Sequence, residues 1–220
     1  MQINSAKSAV LVTLFLASTA VAFAAPKPQP AILDDGRLDK QWFSTDGEFR
    51  EDDDIDYLWV SPGFDIAGKT LGFVAWPQVK FIGEKAHERD VRDRRLADQM
   101  NADMAEAFKD AFGRAFGDRI QLDGKPTLRV EGRIVDCSTG SDAAKILVGF
   151  GAGAGNTTID VRFVDVATGN VVAGFHHRVV SGTDWSTTDS KFFDWLDETA
   201  DKLSKTGFAE LYRKGDRVRN

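Results

Sequence analysis

The run Ile146-Leu147-Val148-Gly149-Phe150-Gly151-Ala152-Gly153-Ala154-Gly155 is the part of this chain whose residue types most invite a chemical reading. Glycine amides can cradle a phosphate when they follow a strand and open a helix. Here they lead into a predicted strand instead. The spacing fails as well. From Gly149 and Gly151 the third glycine of a dinucleotide fingerprint would fall on Ala154, and from Gly151 and Gly153 on Asn156. No Gly-Lys-Ser or Gly-Lys-Thr follows, so no nucleotide cofactor is expected. Two readings remain: a tight crossing beneath a sheet, where side chains would clash, or an apolar flap over 143–155 that meets a partner or lipid. On the second reading Gly149, Phe150, Gly151, Gly153 and Gly155 are the candidate partner-contact residues.

Other chemistry-bearing residues form weaker patterns. His176 and His177 are adjacent, and neighbours on a strand point to opposite faces, so they do not share one ion easily. His87 stands among charged residues and is expected to be exposed. No Cys, His or Asp spacing of metal type accompanies the histidines. Counting from Asp52, the acidic run Asp52, Asp53, Asp54 and Asp56 puts Tyr57 and Gly63 where a calcium loop needs Gly and Glu. It reads as a solvated acidic linker, and no metal is expected. There is no Gly-x-Ser-x-Gly elbow. Ser181, Ser186 and Ser190 lie close to His177 in sequence but form no recognisable nucleophile constellation, and Asp136 and Asp165 read as ordinary strand-end carboxylates. The one cysteine, Cys137, excludes an intramolecular disulfide, has no base partner in sequence, and is expected to be buried in a strand. No residue is assigned a catalytic role.

The elements that must position these residues are legible from periodicity. Tyr57–Val60 and Thr70–Trp76 are short β-type runs edged by Pro62 and Pro77. From Glu88 to Phe116 the period becomes helical: Leu96, Met100, Met104, Phe108, Ala111, Phe112 and Phe116 recur every three or four residues, and Gly117 ends the run. Strands follow over Thr127–Cys137, Thr157–Asp165 and Val171–Val180, the last two joined as a hairpin by Thr168-Gly169-Asn170. Phe192, Trp195, Leu196, Thr199 and Leu203 mark a second amphipathic helix running from Ser186 to about Thr206. The order β-β-α-β-β-β-α predicts an α+β fold: one mixed or mostly antiparallel sheet of about four to five strands, with two amphipathic helices packed on one face.

Bulk properties set the compartment. Residues 1–24 have the three parts of a secretory signal peptide: a polar start with Lys7, the apolar run Ala9–Ala17, and Ala22-Phe23-Ala24 before the cut. The apolar run is too short to span a bilayer, which takes about 20 residues. The expected organisation is a signal peptide over 1–24, a flexible extension over 25–54, a single α+β domain over 55–212 and a basic tail over 213–220. With a net charge of −6, made one unit more negative by loss of Lys7, the chain is a poor nucleic-acid binder. The 16 Phe and 5 Trp supply the core that must hold the fold without disulfides.

Val148-Gly149-Phe150-Gly151-Ala152-Gly153, then the alternating Ile159–Asp165, then Asp165-Val166-Ala167-Thr168-Gly169, with Arg133 upstream, resembles a family of bacterial envelope proteins of unknown function. Many of its members are lipoproteins or secreted. The resemblance covers about residues 55–206, its motif-bearing part only 128–180, and it implies no catalytic residues. This chain departs from lipid-anchored members in lacking a cysteine beside the signal core. In architecture it is also similar to periplasmic modules of curli-secretion and penicillin-binding-protein activator lipoproteins, a likeness of fold and not of function. Together these readings predict an exported, periplasmic protein of the Gram-negative type, or a secreted one. It would be a non-enzymatic protein-binding module with an envelope protein as partner and at most weak membrane contact. The alternatives are a small-molecule or lipid carrier, with the Phe-rich helix leaning over a cavity, or a hydrolase with residues yet to be identified.

Overall fold

In the computed structural model, which describes residues 38–83, 85–140, 155–180 and 188–217, the alternating segments become one open sheet. Its strands are β1 (Arg50–Asp52), β2 (Ile55–Val60), β3 (Leu71–Phe73), β4 (Leu128–Ser138), β5 (Asn156–Asp165), β6 (Val171–Val180) and the two-residue β7 (Asp216–Arg217). The helices are α1 (Val91–Phe116), α2 (Thr188–Thr206) and α3 (Phe208–Lys214). The sheet runs β3-β4-β5-β6-β2-β1-β7, antiparallel throughout except for β3 beside β4.

The mixed α+β class and single sheet agree with the sequence reading, but the counts do not. Six strands plus a terminal two-residue one replace the four to five expected, and three helices replace two. The additions carry no periodic signal. Arg50-Glu51-Asp52 is wholly polar yet pairs with β2 on one side and β7 on the other. Helix α3 is one short segment set off from α2 by Gly207, whose φ of 86° breaks the helical path. Among the described residues the first strand thus begins at Arg50, inside the stretch expected to be a flexible extension, and the basic C-terminus is drawn into the sheet as far as Arg217.

Helices α1 and α2 lie on one face of the sheet. α1 starts at a reciprocal capping box: Asp90 accepts from the Arg92 and Asp93 amides, and the Asp93 carboxylate accepts from the Asp90 amide. Its buried stripe is Met100, Met104, Phe108, Ala111, Phe112 and Phe116 as predicted, with Ala97 buried in place of the half-buried Leu96. Phe108 stacks towards Phe175 of β6, and Phe112 meets Phe163 of β5. α2 adds Phe192, Leu196, Ala200 and Leu203, all 2% exposed or less. The predicted strand through Trp76 stops at Phe73. Trp76 leaves the edge to lie between Phe108 and Gly132, where a Cβ on Gly132 would come within 2.3 Å of the indole. The hairpin forms as expected, its turn fixed by Thr168 donating from amide and hydroxyl to Asp165 Oδ1.

Candidate functional site

The other face of the sheet collects the charged members of the alternation. Arg129, Glu131 and Arg133 come from β4, Asp160 and Arg162 from β5, His176 from β6 and Tyr57 from β2. Register places them side by side: Arg133 opposite Asp160, Asp160 opposite His176, and His176 opposite Tyr57. Asp160 and His176 are fully buried. Arg133 Nε donates to Asp160 Oδ2 at 2.8 Å, and His176 Nδ1 lies 2.6 Å from Asp160 Oδ1. Since a carboxylate only accepts, the ring donates from Nδ1. Nε2 finds no partner among the described residues, and neither does the buried Thr158 hydroxyl two residues along β5.

Residues 38–49 strap this network down. Arg133 Nη2 reaches Asp39 Oδ2 at 3.0 Å, and the Trp42 ring lies under two guanidinium groups, Arg133 at 4.6 Å and Arg162 at 4.4 Å. Arg162 also donates to the Trp42 carbonyl and pairs with Glu131 at 2.6 Å. Phe43, completely buried, packs edge-on to Trp42 and Phe49. It fits over Gly174, where a Cβ would sit 2.7 Å from the ring. Burial raises the Asp39 and Glu131 carboxyls. The arginines bonded to each, with the Trp42 and Gln41 amides at Asp39, outweigh this and hold both below the usual carboxylate range. The segment expected to be a flexible extension is, from residue 38 on, a fastened part of the domain.

A second polar cluster joins α2 to the sheet. Lys202 Nζ lies 2.5 Å from both Asp52 Oδ1 and Asp54 Oδ2, and Trp195 Nε1 donates to the Asp54 carbonyl at 2.8 Å. Burial lowers the Lys202 pKa, but these two carboxylates raise it further. The acidic run is thus a clasp on α2 rather than a solvated linker. Nearby, His177 stacks on Trp195 at 4.3 Å and its Nδ1 lies 3.0 Å from Asp56 Oδ2. Burial raises the Asp56 carboxyl; the His177 hydrogen bond and charge and the Arg178 amide lower it by more. A folded-state pKa below the unfolded value means stability that is present above about pH 4 and lost as pH falls through the lowered pKa. Melting Asp56→Asn beside the native chain between pH 5 and pH 3 should show a shallower fall in the midpoint for the variant.

The remaining sequence candidates are dispersed. His87 is exposed beside Glu88, 3.9 Å away, and His176 and His177 occupy opposite faces, as their adjacency predicts. Cys137 is buried against Thr157, whose hydroxyl also reaches Met100 Sδ, and burial, with Asp136 and Asp93 nearby, pushes the thiol up to about 12 despite the Thr157 contact. At pH 8 a thiol reagent should therefore leave the native protein unlabelled and modify one thiol per chain in 6 M guanidinium; labelling of the native protein at the unfolded rate would contradict this burial. Phe108 and Phe112 are 1% exposed and covered by other rings, so these two side chains belong to the core. A groove of about 380 Å³ lies at the C-terminal end of α1, lined by Phe64, Ile66, Phe116, Arg119, Leu203 and Phe208 among others. Gly155 is buried where β5 begins. Gly149, Phe150, Gly151 and Gly153, with Ser181 and Ser186, lie outside the described residues, as does the expected signal peptide. No described helix is long and apolar enough to cross a membrane.

Comparison with known proteins gives similar solved structures and a family. The PelC dodecamer from Paraburkholderia phytofirmans is similar at 9% identity and a TM-score of 0.44, over 67% of this chain and 94% of that one. A DUF330-family protein from Xanthomonas campestris is similar at 17% identity and a TM-score of 0.32, over 50% of this chain and 63% of that one. No curated protein matches. The model of DUF4410, a domain of unknown function, matches residues 51–183, which run from within β1 to just past the end of β6 and include the charged residues of those strands. The chain, more than half of it covered by that match, belongs to the DUF4410 family.

Proposed function

We propose that this is an exported envelope protein, periplasmic in a Gram-negative type cell, that works as a non-enzymatic protein-binding module through the segment between β4 and β5. One observation carries the reading. β4 and β5 are paired to their very ends, Ser138 opposite Asn156, yet 17 residues, 139–155, connect them. Adjacent antiparallel strands need only about 2–5 residues to turn. The sheet has no use for the additional length, and connections of this size in compact domains are characteristically functional. Their composition, Ile146-Leu147-Val148 followed by Phe150 among glycines, suits an apolar contact. The charged face opposite the helices has a structural task already, since its carboxylates and the Arg133 and Arg162 guanidinium groups are bonded to one another and to the strap.

The test is crosslinking in cells with a photoreactive residue at Phe150, followed by mass spectrometry of the adducts. Adducts to one envelope protein, absent when the probe stands at exposed Ala209 on α3, are expected. Self-adducts alone, or none, would overturn the reading.

A further inference from the structure

We propose that the end of the domain where α1 begins docks on an anionic lipid surface. Val91 is the most exposed large apolar residue described, at 75%. On a helix its neighbours are the residues three and four further on, here Arg94 and Arg95, both exposed. The Arg94 guanidinium lies over the Phe81 ring at 5.3 Å, and Lys80, also exposed, precedes that ring. Exposed Val91 thus has two arginines one turn along its helix, and Arg94 links it to Phe81 and the neighbouring Lys80; such long-stemmed cations can lie along apolar surface with their charges at headgroup level.

Among the described residues, no acid pairs with Lys80, Arg94 or Arg95. Asp90 is taken by Arg92 at 3.0 Å, Asp136 by Arg89 at 2.6 Å, and Asp93 by the Thr139 amide at 2.7 Å. Asp98, one turn on, pairs with neither Arg94 nor Arg95. Residues 80–95 hold six Lys and Arg against four Asp and Glu, in a chain whose net charge is −6. Arginines at a helix N-terminus also run against the helix dipole, so helix stability does not account for them. A surface of negative charge does. The Asp93–Thr139 bond puts this patch at the base of the 139–155 connection, but the inference stands without the protein-binding reading.

The experiment is co-sedimentation of the chain from Ala25 onward, which retains the compact unit Ile32–Asn220, with phosphatidylglycerol–phosphatidylcholine vesicles and with phosphatidylcholine alone. Binding to the anionic vesicles should exceed binding to neutral ones at least tenfold and be lost in 0.5 M salt, where the screening length is only a few ångströms. Each cation at an anionic surface contributes about fivefold, so Arg94→Gln with Arg95→Gln should weaken binding about 25-fold. Both side chains are exposed, and an unchanged melting midpoint shows the variant folded. Equal partitioning to both vesicle types, no binding, or an unaffected double variant would each overturn the proposal. Loss of the Phe150 crosslinks in that variant without any vesicle binding would assign the patch to an acidic protein instead, and so overturn the lipid assignment alone.

Discussion

Replacing Asp160 by Ala should lower the unfolding free energy by about 3–5 kcal/mol, the range seen when one partner of a buried ion pair is removed. The carboxylate is completely buried and serves two groups at once: Arg133, whose side chain is 18% exposed, and His176, which is fully buried. Without it the His176 Nδ1–H has no acceptor and Arg133 keeps only Asp39 as a carboxylate partner, beside the Trp42 ring. For a domain of this size the midpoint should drop by on the order of 10 °C. A double-mutant cycle with Arg133→Met apportions the loss, because residues sharing one network do not add. A drop of about 1 kcal/mol or less in urea titration would mean that the network is slack and that the charged face is available for other work.

Phe43→Ala is the second large effect, again about 3–5 kcal/mol, as for a buried Phe in a core. Its ring meets Trp42 at 4.9 Å and Phe49 at 5.0 Å and fills the space left by Gly174. If the strap were a loose extension, this substitution would cost almost nothing. Urea titration distinguishes the two cases, and the same measurement on a chain beginning at Ile55 should show a still larger loss, because β1 and the strap leave together.

These two residues also mark where sequence reading stopped. The helix α1 and strands β4, β5 and β6 were legible because burial on one face imposes a period, 3.6 or 2, over ten or more residues. Trp42 and Phe43 sit in a turn too short for any period, and β1 is Arg50-Glu51-Asp52, a strand held by pairing on both sides rather than by apolar alternation. The clasp of Lys202 on Asp52 and Asp54 joins residues about 150 positions apart, so locally it is a run of acids and nothing more. The Arg133–Asp160–His176 network was half legible. Strand residues alternate between faces, which separates Arg133 and Asp160 from their apolar neighbours, but only register, shifted between Ile134 and Asp136, decides which charges meet. The candidate partner contact was found from composition, through glycines and apolar residues where no element was predicted. The full pairing of β4 with β5 then gave it a physical argument that composition lacked.

The central claim is that the segment between β4 and β5 serves contact and not the fold. Its most direct test is thermal and urea unfolding of a chain in which residues 141–154 are replaced by a short Asn-Gly turn. Since Ser138 and Asn156 are already opposite one another, the account predicts a cooperative domain within about 1 kcal/mol of the native one, loop shortening itself changing closure entropy by only a few tenths to about 1 kcal/mol. Loss of about 3 kcal/mol or more would show that the glycine-rich run packs against the sheet as a structural part, and the binding reading would fall with it.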